Sequence, residues 1–136
     1  MKLTEPVGNT LYAPFFIRCA LGAYLLLAGL LKLDSLDGFV VQVQQLGVLP
    51  KHIATVVGIL LPYLEIVSGT MLILGMWTTL GAIIACILLG AFIYVFGIFP
   101  NRGHLFNKDV ILFAAGLSIM YSGAGAFSVD RFRKQG

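Results

Sequence analysis

Charge is what this chain has least of. Only 11% of its 136 residues are charged, against about 25% in an average soluble domain, while 59% are hydrophobic and mean hydropathy is +0.96. That balance excludes an ordinary soluble domain and indicates an integral membrane protein. Cysteine is scarce too. Cys19 and Cys86 stand far apart inside apolar runs with no CxxC, so neither a dithiol relay nor a zinc site is signalled, and both read as small buried hydrophobes. The formal net charge of +3 is spread over termini and connections. With no dense basic block, a nucleic-acid partner is not expected. Haem, iron–sulfur, flavin and nicotinamide motifs are missing, so no intrinsic cofactor is expected, and electrons would have to come from a partner. His52 and His104 fall in connections rather than on a helix stripe and read as solvated, which leaves no metal site.

What is present is apolar length. Four runs, 11–31, 53–75, 77–99 and 109–127, each have roughly 20 residues, enough to cross about 30 Å of hydrocarbon at 1.5 Å per residue. The first is followed by Lys32-Leu33-Asp34 rather than a small-residue cleavage site, so it reads as an uncleaved span. Runs two and three are joined by a tight turn at Trp77, an interfacial aromatic, and Pro100 with Gly103 stops the third. Between the first two runs, Leu36, Phe39, Val40, Val43 and Leu46 recur at helical spacing, which predicts an amphipathic surface helix over about 35–46. The expected fold is therefore an all-α membrane protein, a single domain over 1–136. It is an antiparallel bundle of four transmembrane helices with a short amphipathic helix between the first two. Four spans place both termini on one side, and the basic cluster at 131–134 points that side to the cytoplasm of a cell membrane.

Against this background the interior polar residues stand out. A charge at bilayer depth costs at least ~2.5–3.5 kcal/mol, so it normally has a partner or a job. Arg18 lies in the first run and Glu65 near the middle of the second. Counted from the run ends their depths differ by only ~5 Å, which predicts an Arg18–Glu65 contact, read either as a structural ion pair or as a functional carboxylate. Pro62 leaves the Gly58 carbonyl without its helical donor, close to Glu65. Tyr94 and Tyr63 are candidate polar partners inside the bundle. Glycines recur on helix faces: Gly22 and Gly29, Gly58 and Gly69, Gly90 and Gly97, Gly116 and Gly123. They are expected to let helix backbones approach closely, within the bundle or against a second copy or another membrane subunit.

Three segments carry a resemblance. FIRCALGAYLLLAGLLKL, with Arg18, Gly29 and Lys32, resembles the first helix of the DoxX/DoxD-like membrane proteins. LPYLEIVSGTMLILG, with Glu65, Ser68, Gly69 and Gly75, resembles their second helix and that of the related MauE proteins. GAGAFSVD, ending at Asp130, resembles their C-terminal signature. The resemblance implies a four-helix membrane fold with Arg18, Lys32 and Glu65 as characteristic polar positions. It also implies a redox setting, that of an integral subunit or anchor binding partner helices, lipid or quinone and not catalytic alone. The alternative is the quinone-site subunit of a thiosulfate:quinone-type oxidoreductase, with Glu65 handling the proton and Arg18 or Tyr94 on a quinone oxygen. Phe96-Gly97-Ile98-Phe99 stands where redox-associated relatives carry cysteine, which puts a dithiol role in doubt.

Overall fold

A proline opens the first long helix. Pro14 gives up an N–H that would have no helical partner, and its fixed φ suits a helix start. After a 3-10 turn at Thr10–Tyr12 the chain runs as α1, Ala13–Asp34. The amphipathic segment forms α2, Leu36–Gln45. Pro50 precedes α3, Lys51–Leu74, which ends on Gly75 at φ 70°. The Gly75 and Met76 N–H groups both donate to the Met71 carbonyl, at 2.8 and 3.1 Å; a left-handed residue there suits glycine, which has no Cβ to clash. Then follow α4, Thr78–Phe96, α5, Lys108–Ser122, and α6, Val129–Gln135. The computed structural model describes residues 3–45, 47, 49–96 and 108–135, and among these all regular structure is helical. Gly97, His104 and the turn expected at 100–103 lie outside the described residues.

Two helices, Thr10–Asp34 and Lys51–Leu74, are long and apolar enough to cross a membrane, and Thr78–Tyr94 is a shorter apolar stretch. The fourth run is a shorter helix than expected. α5 stops at Ser122, where Gly123 turns to φ 78° and donates to the Ile119 carbonyl at 2.8 Å. Gly123 is thus a helix terminator and not a packing residue, since a Cβ there would meet nothing within 4 Å.

α1 and α3 pack antiparallel, with backbones close enough that only glycine fits. A Cβ on Gly22 would lie 2.7 Å from the Gly69 carbonyl oxygen, and one on Gly29 would lie 2.7 Å from that of Pro62. α5 closes on α4 at Gly116, whose Cβ would meet Cys86 Sγ at 2.7 Å, whereas Gly90 makes only ordinary contact with Phe113. Gly58 faces Val40 of α2 instead of another long helix, so the amphipathic helix lies on α3 of its own chain. Gln44 Nε2 ties it there by donating to Thr55 Oγ1 at 2.7 Å. The shared core is Leu21 and Leu25 of α1, Leu72 of α3, Ala82, Ala85 and Leu89 of α4, and Ile119 of α5.

Candidate functional site

The α1–α3 register decides which charges meet. With Gly22 on Gly69 and Gly29 on Pro62, position 65 lies opposite position 26, about 12 Å along the axis from Arg18. Helical side chains lean toward their own N-terminus. In an antiparallel pair Lys32 and Glu65 therefore lean toward each other, whereas Arg18 and Glu65 lean apart. The expected Arg18–Glu65 contact is not formed. Glu65 Oε1 instead accepts from Lys32 Nζ at 2.6 Å. Counting depth from the run ends misplaced the pair because α1 overhangs the end of α3.

Glu65 is 1% exposed and the Lys32 side chain 24%. The ammonium also sits over two rings, 4.6 Å from the Phe92 centroid and 5.1 Å from that of Phe39, within cation–π range. This pair forms one wall of a cavity of about 530 Å³ to which all five of α1–α5 contribute. Tyr24 and Leu31 come from α1, Gly38, Phe39 and Gln42 from α2, Leu89 and Phe92 from α4, and Asp109 from α5. The size falls within the usual range for small-molecule sites, and the walls have the usual character: mostly apolar with a few convergent polar groups. Glu65 Oε2 is buried and has no hydrogen-bond partner among the described residues. Lys108 Nζ lies 5.9 Å from the Tyr24 ring centroid, beside the same wall.

Arg18 belongs to a second centre at the other end of α1. It is fully buried, and its fork donates to three carbonyls: Leu72 at 3.1 Å, Ala126 at 3.0 Å and Phe127 at 2.9 Å. Its partner is thus the C-terminal signature segment. That segment docks across the start of α1 through Ala126 N–H to the Leu11 carbonyl at 3.0 Å, with the Phe127 ring against Tyr12 and Phe15. Phe127 itself sits at φ 54°, and Trp77 at φ 47°. Asp130 caps the start of α4 from 53 residues away, its two oxygens accepting from Trp77 and Thr78 N–H at 2.8 Å each. Partial burial works to raise the Asp130 pKa, but these donors, with Arg133 nearby, hold the carboxyl below its usual range. The geometry is that of a clamp.

Tyr94 does not reach the interior; it is 84% exposed. At 100° per residue it falls half a turn away from Ala85, which is fully buried. Tyr63 is also exposed. Cys19 and Cys86 are free thiols, half-buried and buried, and Cys86 Sγ approaches the Phe113 carbonyl at 3.8 Å. Sequence reasoning found Lys32 and Glu65 but not Tyr24, Phe39, Phe92 or Asp109 as their surroundings. It also gave Asp130 no role. The lean of helical side chains, applied at 32 and 65, is the signal that would have paired them.

The model of one protein family, described as methylamine utilisation protein MauE, matches residues 10–107 of the chain. No curated protein and no solved structure matches it.

Proposed function

The chain belongs to the MauE family of membrane proteins, and on that premise we propose that it is an integral subunit of a membrane redox system, with its Lys32–Glu65 cavity as the binding site for a quinone or lipid. In this reading α1, α3, α4 and α5 all cross the bilayer as a DoxX-like four-helix bundle in a prokaryotic cell membrane, termini toward the cytoplasm. Electrons come from partner subunits, and the chain supplies the membrane pocket. The family description places its members in methylamine utilisation, and the system served here is of that oxidative kind. The observation that carries the reading is the cavity of about 530 Å³ walled by aromatic rings around an ion pair whose carboxylate is buried. A purely structural pair would be expected to be packed over on both sides, whereas the Lys32 side chain is 24% exposed.

Native mass spectrometry of gently extracted protein, with quinone and lipids retained, tests this. Co-migration with cofactor-bearing subunits, or a retained quinone or lipid that is lost on filling the cavity, supports it. A ligand-free, partner-free species refutes it. The second reading is a quinone-site subunit of a thiosulfate:quinone-type oxidoreductase in which Glu65 handles the quinone proton. It is favoured by Glu65 lining the cavity while one of its oxygens, the buried Oε2, has no hydrogen-bond partner among the described residues. Under it, Glu65→Gln abolishes quinone turnover in the assembled complex while assembly persists.

A further inference from the structure

We propose that the end of the bundle carrying the Arg18 clamp binds anionic phospholipid headgroups, with α6 lying in the headgroup layer. Arg131 and Arg133 meet the lipid phosphates, and Trp77, Phe127 and Phe132 lie at the acyl boundary. Strained backbone marks the place. Trp77 and Phe127 hold left-handed conformations, φ 47° and 54°, which bulky residues rarely adopt and which persist only where the surroundings impose them. Here each is imposed by one arm of the clamp. The Trp77 N–H is held by Asp130 at 2.8 Å, and the Phe127 carbonyl by Arg18 Nη2 at 2.9 Å. What the clamp fixes is therefore the direction of two aromatic side chains, and both are directed outward: Trp77 is 60% and Phe127 68% exposed.

α6 continues the same surface. The Asp130 N–H donates to the Gly75 carbonyl at 2.9 Å, which sets the helix against the α3–α4 turn beside Trp77. Phe132 is 75% exposed, flanked by the half-buried Arg131 and the exposed Arg133. Neither arginine forms an ion pair among the described residues, and the one acid of α6, Asp130, gives both oxygens to the Trp77 and Thr78 N–H groups. Cationic side chains interleaved with large apolar ones are found in helices that lie in the membrane interface, and aromatic rings collect at that level. A phospholipid answers all of these groups at once. Its phosphate takes the guanidinium forks, and its glycerol and upper chains cover the rings. A zwitterionic headgroup carries its own cation beside the phosphate, so the two arginines favour a headgroup with net negative charge.

Trp77 is the chain's one tryptophan, so the surface carries its own reporter. The test reconstitutes the full chain into phosphatidylcholine bilayers containing phosphatidylglycerol, with one or the other lipid brominated in its acyl chains, and follows the quenching of Trp77 fluorescence. Lipid in the Lys32–Glu65 cavity stands roughly 20 Å away along α1, beyond contact quenching, so the readout is independent of that site. The wild type is expected to favour phosphatidylglycerol beside Trp77 by at least about fivefold at low salt, the effect of one basic residue at an anionic surface. Most of that preference should vanish in about 1 M salt, where the screening length is ~3 Å. Arg131→Gln with Arg133→Gln should abolish the preference but keep the total quenching, since the rings stay in place and the residue 131 N–H keeps Ser128 Oγ at 3.2 Å. Quenching by the two lipids in simple proportion to their abundance in the wild type overturns the proposal, leaving an aromatic collar without a headgroup site. No quenching by either lipid in the folded chain also overturns it, because Trp77 is then covered by protein, a partner or a second copy. If the double variant does not fold, the salt series on the wild type decides, and a preference indifferent to salt overturns the role of the arginines.

Discussion

Replacing Gly69 by Ala adds one methyl group at the most crowded point of the α1–α3 contact. Its Cβ would stand 2.6 Å from the Gly22 carbonyl oxygen and 2.8 Å from the Leu26 nitrogen, where ordinary contact begins at 3.4 Å. Both obstacles are backbone, so no rotamer change relieves them, and the two helices must part by several tenths of an ångström. Overpacking of this kind costs about 1–3 kcal/mol. Gly38 provides the internal reference: it is also helical, but a Cβ there meets open space, so Gly38→Ala should gain about 0.5–1 kcal/mol from lower chain entropy. The two substitutions, identical in chemistry, should therefore differ in sign.

Unfolding in mixed micelles titrated with dodecyl sulfate and followed by circular dichroism reads the difference. Gly22→Ala should resemble Gly69→Ala, since its Cβ would meet the Gly69 oxygen and Ile73 Cγ1 at 2.7 Å each. Because both act on one contact, the double variant should cost less than the two single costs added together. Gly69→Ala tolerated as well as Gly38→Ala would refute the register, and with it the account of why Lys32 and not Arg18 meets Glu65.

Lys32→Met alone should destabilise by about 3–5 kcal/mol because it strands a buried carboxylate, whereas Lys32→Met with Glu65→Leu should be near neutral or stabilising yet lose ligand binding; the same unfolding titration with a binding assay checks both. Arg18→Ala removes the donors to the Leu72, Ala126 and Phe127 carbonyls, each left-over buried acceptor costing about 1–3 kcal/mol; limited proteolysis should then cut within 123–130, and unchanged protection there would refute the clamp. Asp130 has a lowered folded pKa, so its contribution is fully present above the unfolded value of about 3.9 and is lost as pH falls through the folded value; acid unfolding of Asp130→Asn should lack that component, and identical acid profiles would show that the α4 cap contributes nothing. Gly116→Ala should be destabilising alone but rescued by Cys86→Ala, because the obstacle to its Cβ is the Cys86 sulfur at 2.7 Å; failure of the rescue would place the α4–α5 contact elsewhere.

The helices were legible because apolar length and the 3.6-residue period are local properties. α2 emerged as Leu36–Gln45 against an expectation of about 35–46, and α1 and α3 lie where the first two runs stand. What was not legible depends on register between segments. Arg18 and Glu65 are both interior charges, and composition alone cannot say which neighbour each finds. A shift of two turns between antiparallel helices exchanges a carboxylate for three carbonyls. Tyr94 was misplaced for a related reason: offsets of four drift around a helix, so a stripe drawn from Cys86 through Gly90 leaves the buried face by the second step. Gly123 looked like a packing glycine by its spacing from Gly116, but its left-handed φ shows that the chain uses it to stop.

The Arg18 clamp and the Lys32–Glu65 cavity show how one helix face can carry two kinds of polar residue. Arg18, at one end of α1, has a planar fork whose two terminal nitrogens donate to carbonyls of α3 and the C-terminal segment, an arrangement a lysine could not reproduce because its single ammonium does not span both. Lys32, at the other end, is a compact, part-exposed charge whose carboxylate partner is buried, its second oxygen without a hydrogen-bond partner among the described residues. Exchanging the two types should therefore fail differently. Arg18→Lys should loosen the C-terminal segment while leaving cavity binding intact. Lys32→Arg should keep the fold but let the broader guanidinium reach both Glu65 oxygens, satisfying Oε2 from within and narrowing the cavity that Lys32 lines. Proteolysis for the first and ligand retention in native mass spectrometry for the second separate the outcomes, and a variant that moved both readouts together would mean that the two centres are coupled through α1 rather than independent.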